Sequence, residues 1–445
     1  MSATYQLADK IVALRSDELD AEAETVAKQC LLDWFGVALQ GAQEPVADIM
    51  AGELAGAKGD NKGSHSLVGR REKADLIDAA MINGTIGHAL DYDDAIPASM
   101  GHATVPVAPT VLALATEMDA SGDMAVRAFL AGYEAECALG RYFGEQHYAR
   151  GYHATGTIGT FGAAAAASLL LGLDAKQTAR ALSLAATQAS GLKALFGSMG
   201  KPMHAGRAAA DGLLAARLIA RGFDSIENGL EVKQGAGHVL AGNEPDKDIR
   251  LDKFGTQIRG TLFKYHAACY GTHAPIEAAR DFMAAHNVDD VESIEIHVGT
   301  ATIGMCDIEA PTSPLECKFS LHQTVAMALA GVDTASLENY SAAKAADPKL
   351  TALREKMSVI SGFEDETGIM SAKLVIKTKD ETVEFYRHMG HPNDNLEDQQ
   401  NRLEAKYDAL ARPVLGEAAD ELKRAVLDLP QAPHVHHLMQ SAVPV

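Results

Sequence analysis

One change in hydrophobic periodicity constrains the fold of this chain more than any other feature of its sequence. From the start to about residue 260, apolar residues recur at helical spacing in a background rich in Ala and Leu. Between residues 261 and 394 the pattern alternates with period two at 291–298 and again at 373–385, where Lys379-Asp380 predicts a hairpin turn. The helical pattern then returns. We therefore predict a mainly α fold, with a large all-helical domain (residues 1–260 and 395–445) and a smaller α+β domain (residues 261–394).

Size, charge and cysteine usage narrow the classes of function. The chain has 445 residues, 47% of them hydrophobic, which is enough apolar material for two domains. Its formal net charge of −21 opposes binding to nucleic acid, so an anionic substrate would need a local basic pocket. Five scattered cysteines, an N-terminus without a targeting pattern and a longest apolar run of only 13 residues (161–173) predict a cytoplasmic protein without disulfides or membrane spans.

An acidic turn is the first candidate for catalytic chemistry. The segment GHALDYDD at 87–94 is followed, after a loop that contains proline, by GH at 101–102. Three acids within four residues repel one another, which raises the pKa of at least one carboxyl group and suits acid–base catalysis. An acidic loop or a helix cap would explain the same pattern without any catalytic role.

Two further segments supply basic side chains. GYHATGT at 151–157 places His153 before an apolar helix, where backbone N–H groups and an imidazole could bind an anion, although a structural glycine turn explains it equally well. GKPMHAGR at 200–207 brings Lys201, His204 and Arg207 together in an acidic chain, with exposed surface charge as the alternative. The glycines at 156, 159 and 162 do not form a GxGxxG pattern, which disfavours a dinucleotide cofactor.

A fourth segment, FKYHAACYGTH at 263–273, lies where the helical pattern gives way to the mixed one. Ligand clefts often form at such junctions, which makes Lys264 a candidate base. Cys269 could act as a nucleophile with His273, but an inert buried thiol is more common. KFSLHQT at 318–324 adds polar groups in the smaller domain.

Metal and cofactor motifs are not evident in the sequence. The histidines at 434, 436 and 437 lack an acid or cysteine at ligand spacing, and we find no HExxH, P-loop or GxSxG motif. We therefore predict no metal site and no cofactor, so that catalysis would depend on side chains alone.

Taken together and in this order, these segments resemble the MmgE/PrpD family, which includes 2-methylcitrate dehydratase, cis-aconitate decarboxylase and iminodisuccinate epimerase. The resemblance rests on HALDYDD, GYHATGT, GKPMHAGRAAADG, FKYHAACYGTHAPIEAA and KFSLH, and it extends over nearly the whole chain to GHPND at 390–394. It implies a large helical domain, a smaller α+β lid domain, a site between them, and a homodimer.

The resemblance also assigns roles to individual residues. The first acid of the family's D-x-D-D element matches Asp91, and the histidine after the following loop matches His102. The histidine of the G-[FY]-H element matches His153, the lysine of K-P-x-H matches Lys201, and the lysine after Phe in the junction motif matches Lys264. We predict as catalytic residues Asp91, His102, His153, Lys264 and Tyr148. We predict as substrate ligands Lys201, His204, His273 and Gln323.

The expected reaction is removal of a proton next to a carboxylate of a small di- or tricarboxylate. Ala95 follows the acidic cluster where the decarboxylase has Thr, and Gln323 stands where decarboxylases and many dehydratases have Tyr. These departures favour an epimerase or isomerase of an iminodisuccinate-like diacid. A hydro-lyase like 2-methylcitrate dehydratase is the alternative, a cis-aconitate decarboxylase is less favoured, and a carboxylate-binding protein is the non-enzyme alternative.

Overall fold

Many helices begin at residues whose side chains accept a backbone hydrogen bond. Ser2, Asp20, Ser121 and Asp174 each cap the helix that follows, because their oxygens accept from N–H groups that lack a partner inside the helix. The computed structural model describes residues 2–55, 63–244, 247–363 and 370–444. Within them the α-helices are α1 (Ala3–Ala13), α2 (Ala21–Gly41), α3 (Pro45–Leu54), α4 (Leu76–Gly87), α5 (Thr104–Glu117), α6 (Gly122–Phe143), α7 (Glu145–Ala149), α8 (Ala154–Leu170), α9 (Ala175–Ala185), α10 (Gly200–Ala220), α11 (His273–Ala285), α12 (Thr300–Cys306), α13 (Pro314–Lys318), α14 (Leu321–Leu329), α15 (Ala342–Ala345), α16 (Pro348–Arg354), α17 (Leu396–Leu415), α18 (Ala418–Leu427) and α19 (His436–Ser441).

The strands lie in two separate sheets. They are β1 (His65–Ser66), β2 (Lys73–Ala74), β3 (Val291–Val298), β4 (Met357–Ile360), β5 (Ser371–Thr378) and β6 (Thr382–His388). β1 and β2 form a short antiparallel ladder that the sequence did not predict. The others form a sheet in the order β4-β3-β5-β6, in which β3 and β4 are parallel and the remaining pairs are antiparallel.

The contacts divide the chain into two units. Unit 1 contains Met1–Phe263 and Asn395–Val445, and unit 2 contains Lys264–Asp394. Unit 1 is built almost wholly from helices, and the four-stranded sheet lies in unit 2 with α11–α16. The predicted fold class, mainly α with a smaller α+β part, is confirmed. Of the helices in the described residues, none has the length and apolarity that a membrane span requires.

Helix α8 is the central helix of unit 1, because every one of its residues is buried. Small side chains let its neighbours approach closely: a Cβ built on Gly159 would lie 2.6 Å from Pro106 of α5, and one on Gly162 would lie 2.4 Å from Glu136 of α6. The Ala-rich run at 163–167 is therefore part of a tight helix contact.

Helices α4 and α10 cross at two glycines. A Cβ on Gly84 would lie 2.9 Å from the Cα of Gly206, and a Cβ on Gly206 would lie 2.2 Å from the carbonyl oxygen of Met81. Any larger residue would push the two helices apart. This close crossing brings the C-terminal end of α4 next to the first turns of α10.

Helix α17 returns to unit 1 after the residues of unit 2 and anchors a loop there. Its Lys406 side chain is buried, and Nζ lies 2.6 Å from Oδ1 of Asp33 in α2. The same ammonium donates a hydrogen bond of 2.8 Å to the backbone oxygen of Tyr92. A buried ammonium needs such partners to offset its desolvation, and here they fix the turn that follows α4.

Candidate active site

Unit 1 gathers five basic side chains from distant parts of its sequence. His88 follows the last residue of α4, His102 precedes α5, and His153 is the N-terminal cap of α8. Lys201 and His204 lie in the first turns of α10. The crossing of α4 and α10 therefore places the sequence-predicted residues of three motifs in one region.

Asp93 is the buried centre of this group. Its two carboxylate oxygens lie 2.9 and 3.0 Å from Nδ1 of His88, and Oδ2 lies 3.1 Å from Nδ1 of His102. The contact to ring Nδ1 of His102 does not meet the geometry of a standard hydrogen bond, and no other described residue bonds that buried nitrogen. Burial would raise the pKa of Asp93, but His102 and His88 together lower it well below its usual value, so Asp93 is ionised.

His88 is a neutral hydrogen-bond donor to this aspartate. Burial lowers the pKa of His88, so its uncharged ring donates through Nδ1–H to Asp93. Its ring centroid lies 4.7 Å from that of His102 and 5.8 Å from that of His153. Nε2 of His88 is buried and makes no hydrogen bond to a described residue.

Asp91 lies on the opposite side of His102. Its Oδ1 is 3.6 Å from Nε2 of His102, and its Oδ2 is 2.8 Å from Nζ of Lys201. The Asp91 side chain is 42% exposed, whereas that of Asp93 is 1% exposed. Asp91 has a φ of +52°, a left-handed conformation that Asp tolerates better than most residues. His102 is thus flanked by a carboxylate at each ring nitrogen.

His153 and His204 form a second imidazole pair beside this group. Their Nδ1 atoms are 3.1 Å apart, so one ring donates and the other accepts. Burial, with contributions from His88 and Lys201, lowers the pKa of His153 to about 2, and burial also lowers the pKa of His204. Both rings are neutral at physiological pH. They can therefore donate or accept a hydrogen bond but do not supply the proton of an imidazolium.

Two hydrogen bonds from buried side chains fix the position of the acidic turn. Lys406 binds the backbone oxygen of Tyr92, and the hydroxyl of Thr104 donates to the buried carboxyl of Asp94. Burial, with Asp33 and Asp93 nearby, raises the pKa of Asp94 to about 7. The three acids of the motif therefore differ in charge and role: one is outward and paired with lysine, one is buried and ionised, and one is buried and partly protonated.

Tyr148 lies in α7 with its ring against a lysine. Nζ of Lys193 is 3.7 Å from the centroid of the Tyr148 ring and donates to the Tyr148 backbone oxygen at 3.2 Å. Burial, with a contribution from Asp91, raises the pKa of the Tyr148 phenol. The phenol is therefore protonated at neutral pH and could give a proton but not take one.

Unit 2 contains the remaining predicted residues. Lys264 is its first residue and is 5% exposed. His273, at the start of α11, is completely buried, and Nε2 lies 3.3 Å from the backbone oxygen of Ala268. Burial lowers the pKa of His273 well below its usual value, with His266 and Lys264 adding to the effect, so the ring is neutral.

Gln323 of α14 is also completely buried in unit 2. Its amide oxygen accepts from Arg354, and its amide nitrogen lies 3.3 Å from the backbone oxygen of Lys344. The side chain thus makes internal contacts at both ends. The catalytic role of Lys264 and the roles of His273 and Gln323 as substrate ligands stay predictions.

Two residues in the centre of the site, His88 and Asp93, were not among those we predicted. Both belong to the quoted motif GHALDYDD, but the local sequence does not distinguish its three acids. Their importance comes from burial and from contact with His102, which lies nine residues beyond Asp93 after a loop. A catalytic histidine often has a carboxylate partner that fixes its tautomer, and this expectation is the one signal that could have pointed to Asp93.

The same residues are also a potential metal site. His88, Asp91, Asp93 and His102 could each offer one ligand atom, and these atoms lie within 4.8 Å of one another. An ion held by them would share Asp91 with the ammonium of Lys201, which opposes cation binding. The histidines near the C-terminus also have an acid partner that sequence spacing did not show. Asp119 lies 3.0 Å from Nδ1 of His434 and 3.6 Å from Nε2 of His436.

Comparison with known proteins identifies both parts of the chain. Residues 5–248 match the MmgE/PrpD N-terminal domain, and residues 266–431 match the MmgE/PrpD C-terminal domain. Cis-aconitate decarboxylase of Aspergillus terreus is 26% identical over 343 residues, which are 71% of this chain and 69% of that protein. Human cis-aconitate decarboxylase is 29% identical over 287 residues, 62% of this chain and 59% of that protein. The matches to the two domain models cover most of the sequence, and the chain therefore belongs to the MmgE/PrpD family.

Proposed function

We propose that this chain is a cofactor-free acid–base enzyme that removes a proton from a carbon next to a carboxylate of a small di- or tricarboxylate. One observation carries the proposal: His102 lies between two carboxylates, and the ammonium of Lys201 lies beside the outer one. A carboxylate that accepts the N–H of one ring nitrogen leaves the other nitrogen to take up the proton, and a nearby ammonium can hold the substrate and offset the charge that develops.

Lys201 is the proposed anchor for a substrate carboxylate. Its side chain is 16% exposed and its present partner is the partly exposed Asp91. A substrate carboxylate must share Lys201 with Asp91 or replace it there. In a protein with a net charge of −21, this ammonium and the neighbouring imidazole N–H groups provide the local attraction that an anion needs.

Proton transfer is assigned to His102 through Nε2, the ring nitrogen that faces the partly exposed Asp91. As the C–H bond breaks, its electron pair moves toward the adjacent carboxylate and forms an enolate-like species. The ammonium of Lys201 and an N–H of the His153–His204 pair would stabilise that charge. Tyr148 could return a proton. Lys264 is kept as a further acid–base residue on the basis of the family resemblance.

The finer assignment is epimerisation or isomerisation of an iminodisuccinate-like diacid. Ala95 offers no hydroxyl group, and the amide of Gln323 is engaged by Arg354, so neither supplies the Thr or Tyr hydroxyl of the decarboxylase pattern. A lyase acting on a tricarboxylate, by dehydration or decarboxylation, is the second candidate. It is supported by the similarity to relatives that are named cis-aconitate decarboxylases.

A substrate panel in D₂O tests the proposal. The panel contains iminodisuccinate, 2-methylcitrate, cis-aconitate and simple hydroxy and amino diacids, and ¹H NMR follows deuterium uptake and product. An epimerase gives a deuterated stereoisomer, a hydro-lyase gives an alkene, and a decarboxylase releases CO₂. A control compares His102→Gln, which should lose exchange, with His434→Gln at an exposed histidine, which should retain it.

A carboxylate-binding protein would bind members of the panel without exchanging protons or forming product, and that result would overturn the enzymatic proposal. The small polycarboxylate partner, the homodimer and the cytoplasmic location also remain predictions. Analytical ultracentrifugation tests the homodimer directly.

A further inference from the structure

We infer that His88 and Asp93 are positioning residues that hold His102 with its proton on Nδ1, leaving the lone pair on Nε2 to accept the substrate's proton. This inference rests on the proposed function, in which His102 is the base. It assigns the orienting role to Asp93 rather than to Asp91, the acid that the sequence analysis placed among the catalytic residues.

The geometry gives Nδ1 of His102 one acceptor. Oδ2 of Asp93 lies 3.1 Å away, and the nitrogen is buried without another hydrogen-bond partner among the described residues. Asp93 is therefore the acceptor that a proton on Nδ1 of His102 would face. Nε2 lies on the other side of the ring, toward the more exposed Asp91.

The backbone of His102 is fixed independently of its ring. Its N–H donates to Oγ1 of Thr155 at 3.1 Å. Gly101 packs against the same residue, since a Cβ at Gly101 would lie 3.0 Å from the Thr155 backbone nitrogen. The attachment point of the imidazole therefore cannot move far, and the ring rotation is the freedom that Asp93 controls.

His88 explains how Asp93 stays charged inside the protein. A buried carboxylate with one partner tends to take up a proton, because burial disfavours its charged form. The hydrogen bonds of 2.9 and 3.0 Å from Nδ1 of His88 supply a second donor without adding a charge, as the ring is neutral. An ionised Asp93 can only accept, so both histidines that face it must present N–H at Nδ1.

The substitution Asp93→Asn exploits this requirement. An amide has one acceptor and one donor group, so it can accept from only one of the two histidines. If His88 keeps its proton on Nδ1, the amide must donate to Nδ1 of His102. His102 would carry its proton on Nε2 instead, and the lone pair would point into the protein. The side chain has nearly the same size, so packing is preserved.

The tautomer can be measured without any substrate. Protein labelled with ¹⁵N-histidine is examined by two-bond ¹H–¹⁵N correlation at alkaline pH, where neutral rings report which nitrogen bears the proton, and His102→Gln assigns the signal. The wild type should show His102 protonated on Nδ1. A proton on Nε2 in the wild type would overturn the inference, even if no variant folds.

The variants then connect tautomer to rate. Asp93→Asn should move the His102 proton to Nε2 and lower kcat/KM by about 10²–10⁴-fold, the span expected when a general base is lost. Asp94→Asn is the matched control: it changes a neighbouring buried acid that bonds Thr104, and it should leave the His102 tautomer unchanged. In folded Asp93→Asn, an unchanged His102 tautomer with His88 also still protonated on Nδ1 would refute the inference.

The readouts separate this inference from the proposed function. If the wild type shows the Nδ1–H tautomer but exchanges no proton of any substrate in the D₂O panel, the function fails and the positioning role stands. If exchange occurs and Asp93→Asn retains both the tautomer and the rate, the positioning role fails and the function stands.

Discussion

Replacing Asp91 with Asn should strengthen the binding of a simple dicarboxylate, because it releases Lys201 from its internal partner. Asn tolerates the left-handed φ of +52° found at this position, so the turn is preserved. At the 2.8 Å that separates Asp91 from Lys201, Coulomb's law gives about 6 kcal/mol at an effective dielectric constant near 20 and about 1.5 kcal/mol in water. Asp91 is 42% exposed, which favours the lower value. A gain of about 1–2 kcal/mol corresponds to about 5- to 30-fold tighter binding.

Titration calorimetry with succinate measures this effect at low and high salt. We expect the gain in Asp91→Asn to shrink as salt screens the charges, and Lys201→Met to weaken binding. Asp123→Asn is the matched control, since Asp123 is a half-exposed acid paired with Arg127 at 2.9 Å and its loss changes the net charge equally. If Asp91→Asn binds succinate no more tightly than Asp123→Asn, Asp91 does not compete with the substrate for Lys201.

Three further predictions concern the rest of the molecule. Lys264→Ala should lower kcat/KM by about 10²–10⁴-fold in a folded protein. Lys264→Arg should restore part of the rate only if the lysine acts as a positive charge rather than as a base. Wild-type rates in Lys264→Ala would show that Lys264 has no part in the mechanism. EDTA should leave activity unchanged, whereas complete loss that zinc reverses would show that the four potential ligands around Asp93 hold a metal. Gly206→Ala should lower the free energy of unfolding by about 1–3 kcal/mol. The control Gly52→Ala, at an exposed position of α3 that faces open space, should raise it by about 0.5–1 kcal/mol. Equal effects of the two substitutions in urea denaturation would contradict the close crossing of α4 and α10.

The secondary structure was predictable wherever one face of an element is buried. The alternating residues at 291–298 predicted a strand that coincides with β3, since the sheet buries alternate side chains of that segment. The hairpin of β5 and β6 was predicted from the alternation in β5, where one face is buried, and from the turn at Lys379-Asp380. β6 has no fully buried residue, but it is seven residues long and follows this turn directly. β4 was missed because it has only four residues at the edge of the sheet, and none of them is fully buried.

The sequence indicated the motifs whose residues meet in unit 1, but it did not distinguish the environments of the individual residues. Asp91 and Asp93 are two residues apart in one acidic turn, and no local property separates them. Asp93 is buried beside His102, whereas Asp91 is partly exposed beside Lys201, and Lys406, more than 300 residues later, binds the backbone oxygen between them. The glycine crossing at Gly84 and Gly206 then decides which side of the turn faces α10. Both causes are long-range packing, which a motif does not encode.

The contact of Lys406 with the acidic turn also affects when the site can fold during translation. Ribosomes release the chain from its N-terminus, and domains usually begin to fold as they emerge. A nascent chain that ends before α17 already contains His88, Asp93 and His102. It does not yet contain Lys406, whose ammonium binds Asp33 and the backbone oxygen of Tyr92. We therefore expect the group around Asp93 to reach this geometry only when the last helices have docked, so that an incomplete or C-terminally clipped chain would carry the proposed catalytic residues without the proposed activity.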